Sequence, residues 1–135
     1  MNIKDILSQY KNVAVVGMSA NESKPSHWVP MFLKSRDFEI IPVNPAAAEI
    51  AGMKSYPAIM DVDARIDILN VFRPSEACLP IIKEALERRK HKGDISVIWL
   101  QEGITCDEGK ALAESEGVVF VQDMCMYKEY NRFMS

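Results

Sequence analysis

The chain has 135 residues, of which 48% are hydrophobic and 26% are charged, and its formal net charge is −3. This length suits one domain with a single core, taken as residues 1–135, and the composition is typical of a globular protein. The absence of any run of about 18 apolar residues excludes a membrane-spanning helix, and the lack of a basic stripe argues against nucleic-acid binding.

Five short apolar segments predict the strands of the fold. They are rich in Val and Ile without strict alternation, which is typical of strands buried on both faces of a parallel sheet. In chain order they are VAVVG (13–17), FEIIPV (38–43), IDILNVF (66–72), ISVIWL (95–100) and VVFVQD (118–123).

Helical segments flank and separate these strands. IKDILSQY predicts a first helix, a helix beginning near His27 follows the first strand, and YKEYNRFM predicts the last helix. The segments SEACLPIIKEALERRKHKG and DEGKALAESEG predict two further helices, because their apolar residues recur at spacings of three and four. Gly93 ends the longer of the two, and its basic end ERRKHKG is expected to be solvated. Pro30 is tolerated only in the first turn of its helix. In NPAAAEIAGMKSYPAI we expect a short helix over 46–51 and a connecting stretch over 53–56.

This alternation predicts a Rossmann-like, doubly wound α/β domain. Right-handed βαβ crossovers produce a parallel sheet of about five strands with helices on both faces, for which we expect the strand order 3-2-1-4-5. Ligands in such open sheets bind beyond the carboxyl ends of the strands, near the reversal of strand order. That position is the end of the first strand, beside the ends of the second and fourth.

The loop GMSANESKPSH after the first strand has the features of an anion site. Gly17 permits either close approach of a ligand or an unusual φ, and a simple turn glycine is the alternative. Ser19, Asn21 and Ser26 offer short polar side chains, and Ser26 is also expected to cap the following helix. The helix N-terminus and Lys24 would supply positive charge for an anion.

Two departures disfavour a nicotinamide-dinucleotide site. Such a site carries G-x-G-x-x-G after the first strand, where this chain reads G-M-S-A-N-E. It also carries an acidic residue at the end of the second strand, which binds the ribose hydroxyls. Here Asn44 stands at that end, and Pro42 and Pro45 stiffen the loop.

Candidate catalytic and metal sites are lacking, and no catalytic residue is predicted. Cys78, Cys106 and Cys125 are odd in number and lack a C-x-x-C spacing, which favours free thiols over a disulfide or a zinc site. The N-terminal segment has no signal-peptide features, so a cytoplasmic protein is expected. Neither His27 nor His91 has a nucleophile beside it, which favours a binding protein over an enzyme.

Five pieces of the sequence resemble, in order and spacing, the stand-alone CoA-binding domain proteins. The pieces are VAVVGMSANESKPSHWV, IIPVNPAAAEIAGMKSYPAI, DILNVFRPSEA, VIWLQEGI and VVFVQDMC. The resemblance runs from about Lys11 to Cys125. These are small bacterial and archaeal Rossmann-like proteins, similar to the amino-terminal domain of the succinyl-CoA synthetase α subunit.

The resemblance implies that the chain binds coenzyme A or an acyl-CoA through a strand–loop–helix diphosphate site. By position it assigns Gly17, Ser19 and Asn21 to the diphosphate, with Lys24 and Ser26 nearby. It assigns Val43, Asn44 and Pro45 to the adenosine side, and it places Phe72 and Arg73 at the end of the third strand. Gln101 and Gly103 are assigned to the pantetheine arm. An arginine can form a bidentate pair with phosphate, although Arg73 could instead be a surface residue paired with an acid.

The C-terminal part of the resemblance raises a separate hypothesis. The family's Asp-x-Cys matches Asp123 and Cys125, and a thiol there could form a mixed disulfide with the thiol of CoA. A buried, inert Cys125 is the alternative. Glu129 follows the family pattern, whereas Asn131 stands near the position where a His is expected.

Three other functions stay open at this point. One is an NAD(P)-dependent oxidoreductase. Another is a subunit or fragment of an acyl-CoA synthetase that needs a partner chain, because the phosphorylated-histidine domain of the synthetase has no counterpart here. The third is an interaction protein without a ligand, since the fold alone does not determine function.

Overall fold

The computed structural model describes residues 1–134 as helices around a five-stranded parallel sheet. The strands are β1 (Asn12–Val16), β2 (Glu39–Val43), β3 (Glu49–Ile50), β4 (Met53–Lys54), β5 (Ile68–Val71), β6 (Val97–Leu100) and β7 (Val119–Val121). The α-helices are α1 (Ile3–Gln9), α2 (Pro25–Lys34), α3 (Cys78–Lys92), α4 (Asp107–Ser115) and α5 (Met126–Met134). Short 3₁₀ turns lie at Ile59–Asp61 and Ser75–Ala77.

The main sheet has the order β2-β1-β5-β6-β7, and every neighbouring pair of strands is parallel. The predicted Rossmann-like α/β fold is therefore confirmed. The predicted strand order 3-2-1-4-5 is wrong, because the third main strand, β5, pairs with β1 and not with β2. Counted by main strands the order is 2-1-3-4-5.

The outer edge of β2 is partly covered by the residues that follow β4. Tyr56 forms a parallel bridge with Val43, its N–H donates to the Pro42 carbonyl at 3.0 Å, and its carbonyl accepts the Asn44 N–H at 2.9 Å. This segment lies where a third strand would otherwise pair with β2. The chain then crosses back to the opposite side of β1.

The predicted short helix over 46–51 is wrong, since this stretch enters an antiparallel hairpin. Strands β3 and β4 pair through Glu49 with Lys54 and Ile50 with Met53. The two turn residues both have positive φ, 51° at Ala51 and 79° at Gly52. Positive φ at both positions is the mark of the two-residue turn that matches the twist of a hairpin. The predicted connecting stretch over 53–56 is partly strand, because it contains β4.

Helix α2 begins at Pro25, two residues before the predicted start. Proline suits the first helical position, where no N–H is needed and its fixed φ is already helical. Lys24 is the N-cap residue and makes no side-chain capping bond, so the predicted Ser26 cap is wrong. Pro30 lies in the helix interior and not in its first turn.

Helices cover both faces of the sheet, as predicted. On one face, Ile6 of α1, Leu33 of α2 and Met126 of α5 pack in one core cluster with Val13 and Val15 of β1. On the other face, residues of α3 and α4 pack with Ala14 and Val16. The alternation along β1 therefore divides two apolar layers. Among residues 1–134, no helix combines the length and the apolar character that a membrane span requires.

Arg88 departs from the solvated helix end predicted for ERRKHKG, because it is only 1% exposed. Its guanidinium donates to the carbonyls of Ile59 and Val62, both at 2.8 Å, and to Asp94 Oδ2 at 2.9 Å. A third carbonyl, that of Ala64, accepts at 2.9 Å. The side chain thus ties the loop before β5 to helix α3.

Candidate functional site

A cleft of about 650 Å³ opens at the carboxyl ends of β1, β2 and β5. Strand order reverses here, because β2 lies on one side of β1 and β5 on the other. Open α/β sheets bind ligands at this position, and the volume lies within the range typical of small-molecule sites. The sequence predicted that the fourth main strand lies beside β1 at this position. The structure has the third main strand, β5, there.

Nine of the twelve predicted site residues line this cleft. They are Gly17, Ser19, Lys24, Ser26, Val43, Asn44, Pro45, Phe72 and Arg73. The other three, Asn21, Gln101 and Gly103, do not line it.

Helix α2 holds the first-strand loop through both backbone groups of Ser19. The Ser19 N–H donates to the Ser26 carbonyl at 3.2 Å, and His27 Nδ1 lies 2.7 Å from the Ser19 carbonyl oxygen. The Ser26 carbonyl is available because its helical partner would be the N–H of residue 30, which is a proline. Pro30 therefore frees the acceptor that anchors the loop.

Unpartnered backbone N–H groups and two positively charged side chains line the cleft. The N–H groups of Met18, Ala20 and Ser26 donate to no other group of residues 1–134. Ser26 lies at the N-terminus of α2, where helix N–H groups and the helix dipole favour an anion. Within the described chain, neither Lys24 nor Arg73 enters an ion pair, so both charges are available.

Gly17 is required by the backbone and by its neighbours. Its φ is 86°, which L side chains rarely adopt, and its N–H donates to the Val43 carbonyl at 3.0 Å. A Cβ at this position would lie 3.0 Å from Arg73 Cδ and 3.3 Å from the Phe72 carbonyl oxygen. Gly17 lies just beyond β1, at a turn whose positive φ would be strained for the β-branched residues that suit the strand itself.

The amides of Asn21 and Asn44 are used within the loops. Asn21 Oδ1 accepts the Ser23 N–H at 3.0 Å, a local turn that keeps this residue outside the cleft. Asn44 Nδ2 donates to the Met18 carbonyl at 2.9 Å, and its Oδ1 accepts the Ala46 N–H at 2.8 Å. Asn44 therefore joins the loop after β1 to the loop after β2.

One wall of the cleft was missed by the sequence analysis. It is apolar and comes from the segment before β5 and the start of α3. Its residues are Pro57, Ala58, Ile59, Ala77 and Ile81, with Glu84 at its end. Ile81 lies at an apolar position of α3, but periodicity alone does not distinguish a core residue from a cleft residue.

A second cavity of about 310 Å³ contains Gln101, which the resemblance assigns to the pantetheine arm. It also has Trp28, Phe72, Cys125 and Lys128 in its lining, and Phe72 lines both cavities. Phe72 therefore borders both cavities. Their separation follows from the strand order, which puts β5 between β1 and β6.

The neighbouring loop is held by a carboxylate. The N–H of Gly103, which the resemblance assigns to the pantetheine arm, donates to Asp123 Oδ1 at 2.6 Å and is already used. Lys128 Nζ lies 2.8 Å from Glu102 Oε1, and this hydrogen bond raises the pKa of Lys128. Within residues 1–134, no group of three His, Cys, Asp or Glu side chains is arranged to hold a metal ion.

Comparison with known proteins identifies similar chains. The sequence model described as CoA binding domain matches residues 11–131. The Bacillus subtilis protein YneT is 36% identical over 124 residues, which are 92% of this chain and 88% of that protein. The ADP-forming acetate–CoA ligase II of Archaeoglobus fulgidus is 32% identical over 108 residues, 78% of this chain but only 15% of the ligase. A solved structure from Thermus thermophilus has a TM-score of 0.90 at 32% identity, covering 99% of this chain and 100% of that chain.

Proposed function

The chain belongs to the CoA-binding domain family, and we propose that it binds coenzyme A or an acyl-CoA in the main cleft, without catalysis of its own. The observation that carries this proposal is the cleft at the strand-order reversal, where unpartnered N–H groups and two free cations surround one opening. Such an arrangement suits a diphosphate, which needs several donors and compensation of its charge.

In this proposal the diphosphate lies against the loop after β1. The N–H groups of Met18, Ala20 and Ser26 would donate to its oxygens, and Lys24 and Arg73 would balance its charge. Ser19 contributes mainly by fixing the loop on α2, because both of its backbone groups already have partners.

The adenosine part would extend along the end of β2. Val43, Asn44 and Pro45 form one side of the cleft there, and the apolar wall that includes Ile59 and Ile81 forms the other. An aromatic ring system can be buried between two such apolar surfaces.

The chemistry of the β2 end supports CoA over a nicotinamide dinucleotide. Asn44 stands at the end of β2, and its amide already bridges two loops, so no carboxylate is offered to ribose hydroxyls there. Glu84, the carboxylate among the described residues of the cleft, comes from α3, and its Oε2 accepts the Met60 N–H at 3.2 Å.

Titration calorimetry with each ligand tests the proposal. CoA is expected to bind at least about tenfold more tightly than NAD or NADP, a difference of about 1.4 kcal/mol. Acetyl-CoA is included because the acyl group would lie away from the diphosphate site. Tighter binding of NAD than of CoA would reverse the proposal in favour of an oxidoreductase.

The two free cations permit a direct test of the diphosphate position. Lys24→Ala and Arg73→Ala are each expected to weaken CoA binding by about 1–3 kcal/mol, the range of hydrogen bonds to charged groups. Lys34→Ala is the matched control, because it removes an exposed lysine from the opposite end of the same helix. All three variants should unfold at the temperature of the parent protein. Unchanged CoA affinity in both cleft variants would contradict the assignment of these side chains.

A second candidate function is a role as one part of an acyl-CoA synthetase. The ligase similarity favours it, because this chain corresponds to only a small share of that enzyme. Acetyl-CoA formation from acetate, ATP and CoA would be measured with the chain alone and with the remaining ligase domains added. Activity only in the mixture would support this role, and a lack of activity in both would favour a binding protein.

A further inference from the structure

We propose that Cys78 and Cys106 form a reversible disulfide when the protein meets a low-molecular-weight disulfide, and that this cross-link weakens coenzyme binding in the main cleft. The two cysteines lie at the N-terminal ends of α3 and α4, and in the structure both are free thiols. The cross-link itself depends on no ligand. Its effect on affinity rests on the proposed function.

Helices α3 and α4 pack against each other on one face of the sheet. Both run in the same direction, because α3 connects β5 to β6 and α4 connects β6 to β7, and these three strands are parallel. The helices approach closely at Ile82 and Gly109, since a Cβ added to Gly109 would collide with Ile82 Cδ1. The missing side chain of this glycine therefore permits the short distance between them.

Cys78 and Cys106 lie one helical turn before this contact. Cys78 precedes Ile82 by four residues, and Cys106 precedes Gly109 by three, so each cysteine shares a helix face with the residue that makes the contact. Both belong to one apolar cluster, in which Cys78 is buried and Cys106 packs against it. Because the helices run in parallel, one turn back along each brings the two thiols to the same level.

A hydrogen bond between the preceding loops ties these two helix ends together. The N–H of Thr105, directly before Cys106, donates to the Oγ of Ser75, three residues before Cys78, at 3.0 Å. The two sulfur atoms also interact electrostatically, because burial and, after it, the charge of Cys106 raise the pKa of the Cys78 thiol to about 11. Packing, hydrogen bonding and charge thus agree that the two thiols are neighbours.

Access determines the order in which the two thiols react. Cys106 is partly exposed, whereas Cys78 is completely buried, so a small disulfide reaches Cys106 first. Once Cys106 belongs to a mixed disulfide it carries no charge, and its contribution to the high pKa of Cys78 disappears. Cys78 then acts as the resolving thiol, with the high effective concentration of a group held beside its target.

The reaction consists of two thiol–disulfide exchanges. In the first, the Cys106 sulfur attacks one sulfur of the small disulfide; a bond forms between them, the original disulfide bond breaks, and the departing thiolate takes up the proton of Cys106. In the second, the Cys78 sulfur attacks the Cys106 sulfur and expels the other small thiol, which takes up the proton of Cys78. The protein is oxidised by two electrons, and one small disulfide is reduced to two thiols.

The cross-link would act on the cleft through the segment that carries Arg73. The Cys78 thiol donates to the Pro74 carbonyl at 3.5 Å and to the Arg73 carbonyl at 3.7 Å. A disulfide sulfur has no hydrogen, so oxidation removes both contacts. Arg73 and Ala77 line the main cleft. We therefore expect the cross-linked chain to bind CoA about two- to tenfold more weakly, the range that loss of a hydrogen bond produces.

Intact-mass spectrometry of the full chain treated with glutathione disulfide tests the cross-link. We expect a product lighter by two hydrogen atoms, in which peptide mapping finds Cys78 linked to Cys106 and from which dithiothreitol regenerates the parent mass. Cys78→Ala should stop at one glutathione on Cys106, and Cys106→Ser should leave Cys78 unmodified. Cys125→Ser is the matched control, because it removes the cysteine on the other face of the sheet, and it should form the cross-link at the parent rate.

Calorimetry with CoA measures the effect on the cleft, in the Cys125→Ser background so that only this pair can react. Oxidation should weaken CoA binding, dithiothreitol should restore it, and adding Cys106→Ser should abolish the difference. A disulfide that includes Cys125, or a lasting glutathione adduct on Cys106 with Cys78 still reduced, would overturn the inference. A cross-link that leaves CoA affinity unchanged would refute its action on the cleft, whereas absence of CoA binding to the reduced chain would refute the proposed function.

Discussion

The Arg88→Met variant is expected to unfold with a free energy about 3–5 kcal/mol below that of the parent protein. Methionine keeps much of the length and apolar stem of the side chain but removes the guanidinium. The Asp94 carboxylate, which is 4% exposed, is then left without the cation 2.9 Å away. An uncompensated buried charge is far more costly than the loss of an ion pair in water.

The same substitution should also affect the cleft. Arg88 donates to the Ile59 carbonyl, and Ile59 lines the apolar wall of the cleft. Loss of this bond and of the bond to Val62 would loosen the segment before β5. We therefore expect weaker CoA binding in Arg88→Met even at temperatures where the variant remains folded.

Urea unfolding followed by circular dichroism measures the stability change, with Arg65→Met as the matched control. Arg65 also pairs with an aspartate, Asp67, at 2.9 Å, but its side chain is 61% exposed. Water and salt screen such a pair, so the control should change stability much less. Equal losses in the two variants would mean that burial of the Arg88–Asp94 pair has no special effect on the fold.

The composition of the strands explains why the sheet could be predicted. The segments predicted at 13–17, 38–43 and 66–72 agree with β1, β2 and β5 to within two residues at each end. Parallel strands covered by helices on both faces must be apolar at almost every position, and this signal is local in the sequence. The alternation of strands and helices then leads directly to the α/β class.

The order of the strands was not predictable from the same signal. Apolar runs do not record which neighbour a strand selects, and the edge of β2 is covered by Tyr56, within a stretch that has no clear periodicity. The hairpin before it depends on a positive φ at Ala51, and alanine rarely adopts a positive φ, so this turn could not be recognised from the sequence. Arg88 shows a similar limit, since its basic neighbours made burial at that position impossible to recognise.

The candidate site was predictable where it depends on sequence-adjacent loops. Seven of the nine predicted residues that line the cleft lie between the end of β1 and the start of α2, or at the end of β2 and in the loop after it, so they are close to a strand end in the sequence. Gln101 also follows a strand, but β5 lies between its strand and β1, so it lines the second cavity instead. The position of Arg73 beside Gly17 depends on the same pairing and could not be anticipated from an incorrect order.

Gly17→Ala is expected to lower both the stability and the CoA affinity of the protein. Alanine at a φ of 86° is strained, and strain of this kind costs about 1–3 kcal/mol. The added Cβ would also lie 3.0 Å from Arg73 Cδ and 3.3 Å from the Phe72 carbonyl oxygen, so the arginine side chain must shift slightly. In the proposed complex the diphosphate lies against this backbone, and both changes would weaken its binding.

Gly117→Ala separates the backbone strain from the effect on the ligand. Gly117 has a φ of 80°, close to that of Gly17, but no atom lies within 4 Å of the Cβ that alanine would add. It follows α4 and lines neither cavity. Both variants should therefore lose stability through strain, as measured by thermal unfolding, while only Gly17→Ala should lose affinity for CoA in calorimetry.

Combining Gly17→Ala with Arg73→Ala then shows whether Gly17 affects CoA binding directly or through Arg73. If a methyl group at residue 17 weakens binding only by displacing Arg73, Gly17→Ala should have no further effect on CoA affinity once Arg73 is alanine. If the diphosphate approaches the bare backbone of Gly17, the loss should persist in the double variant. We expect it to persist, because the methyl group would still narrow the space beside the Met18 and Ala20 N–H groups. Unchanged CoA affinity in Gly17→Ala itself would mean that Gly17 serves only the turn, and that the diphosphate binds elsewhere in the cleft.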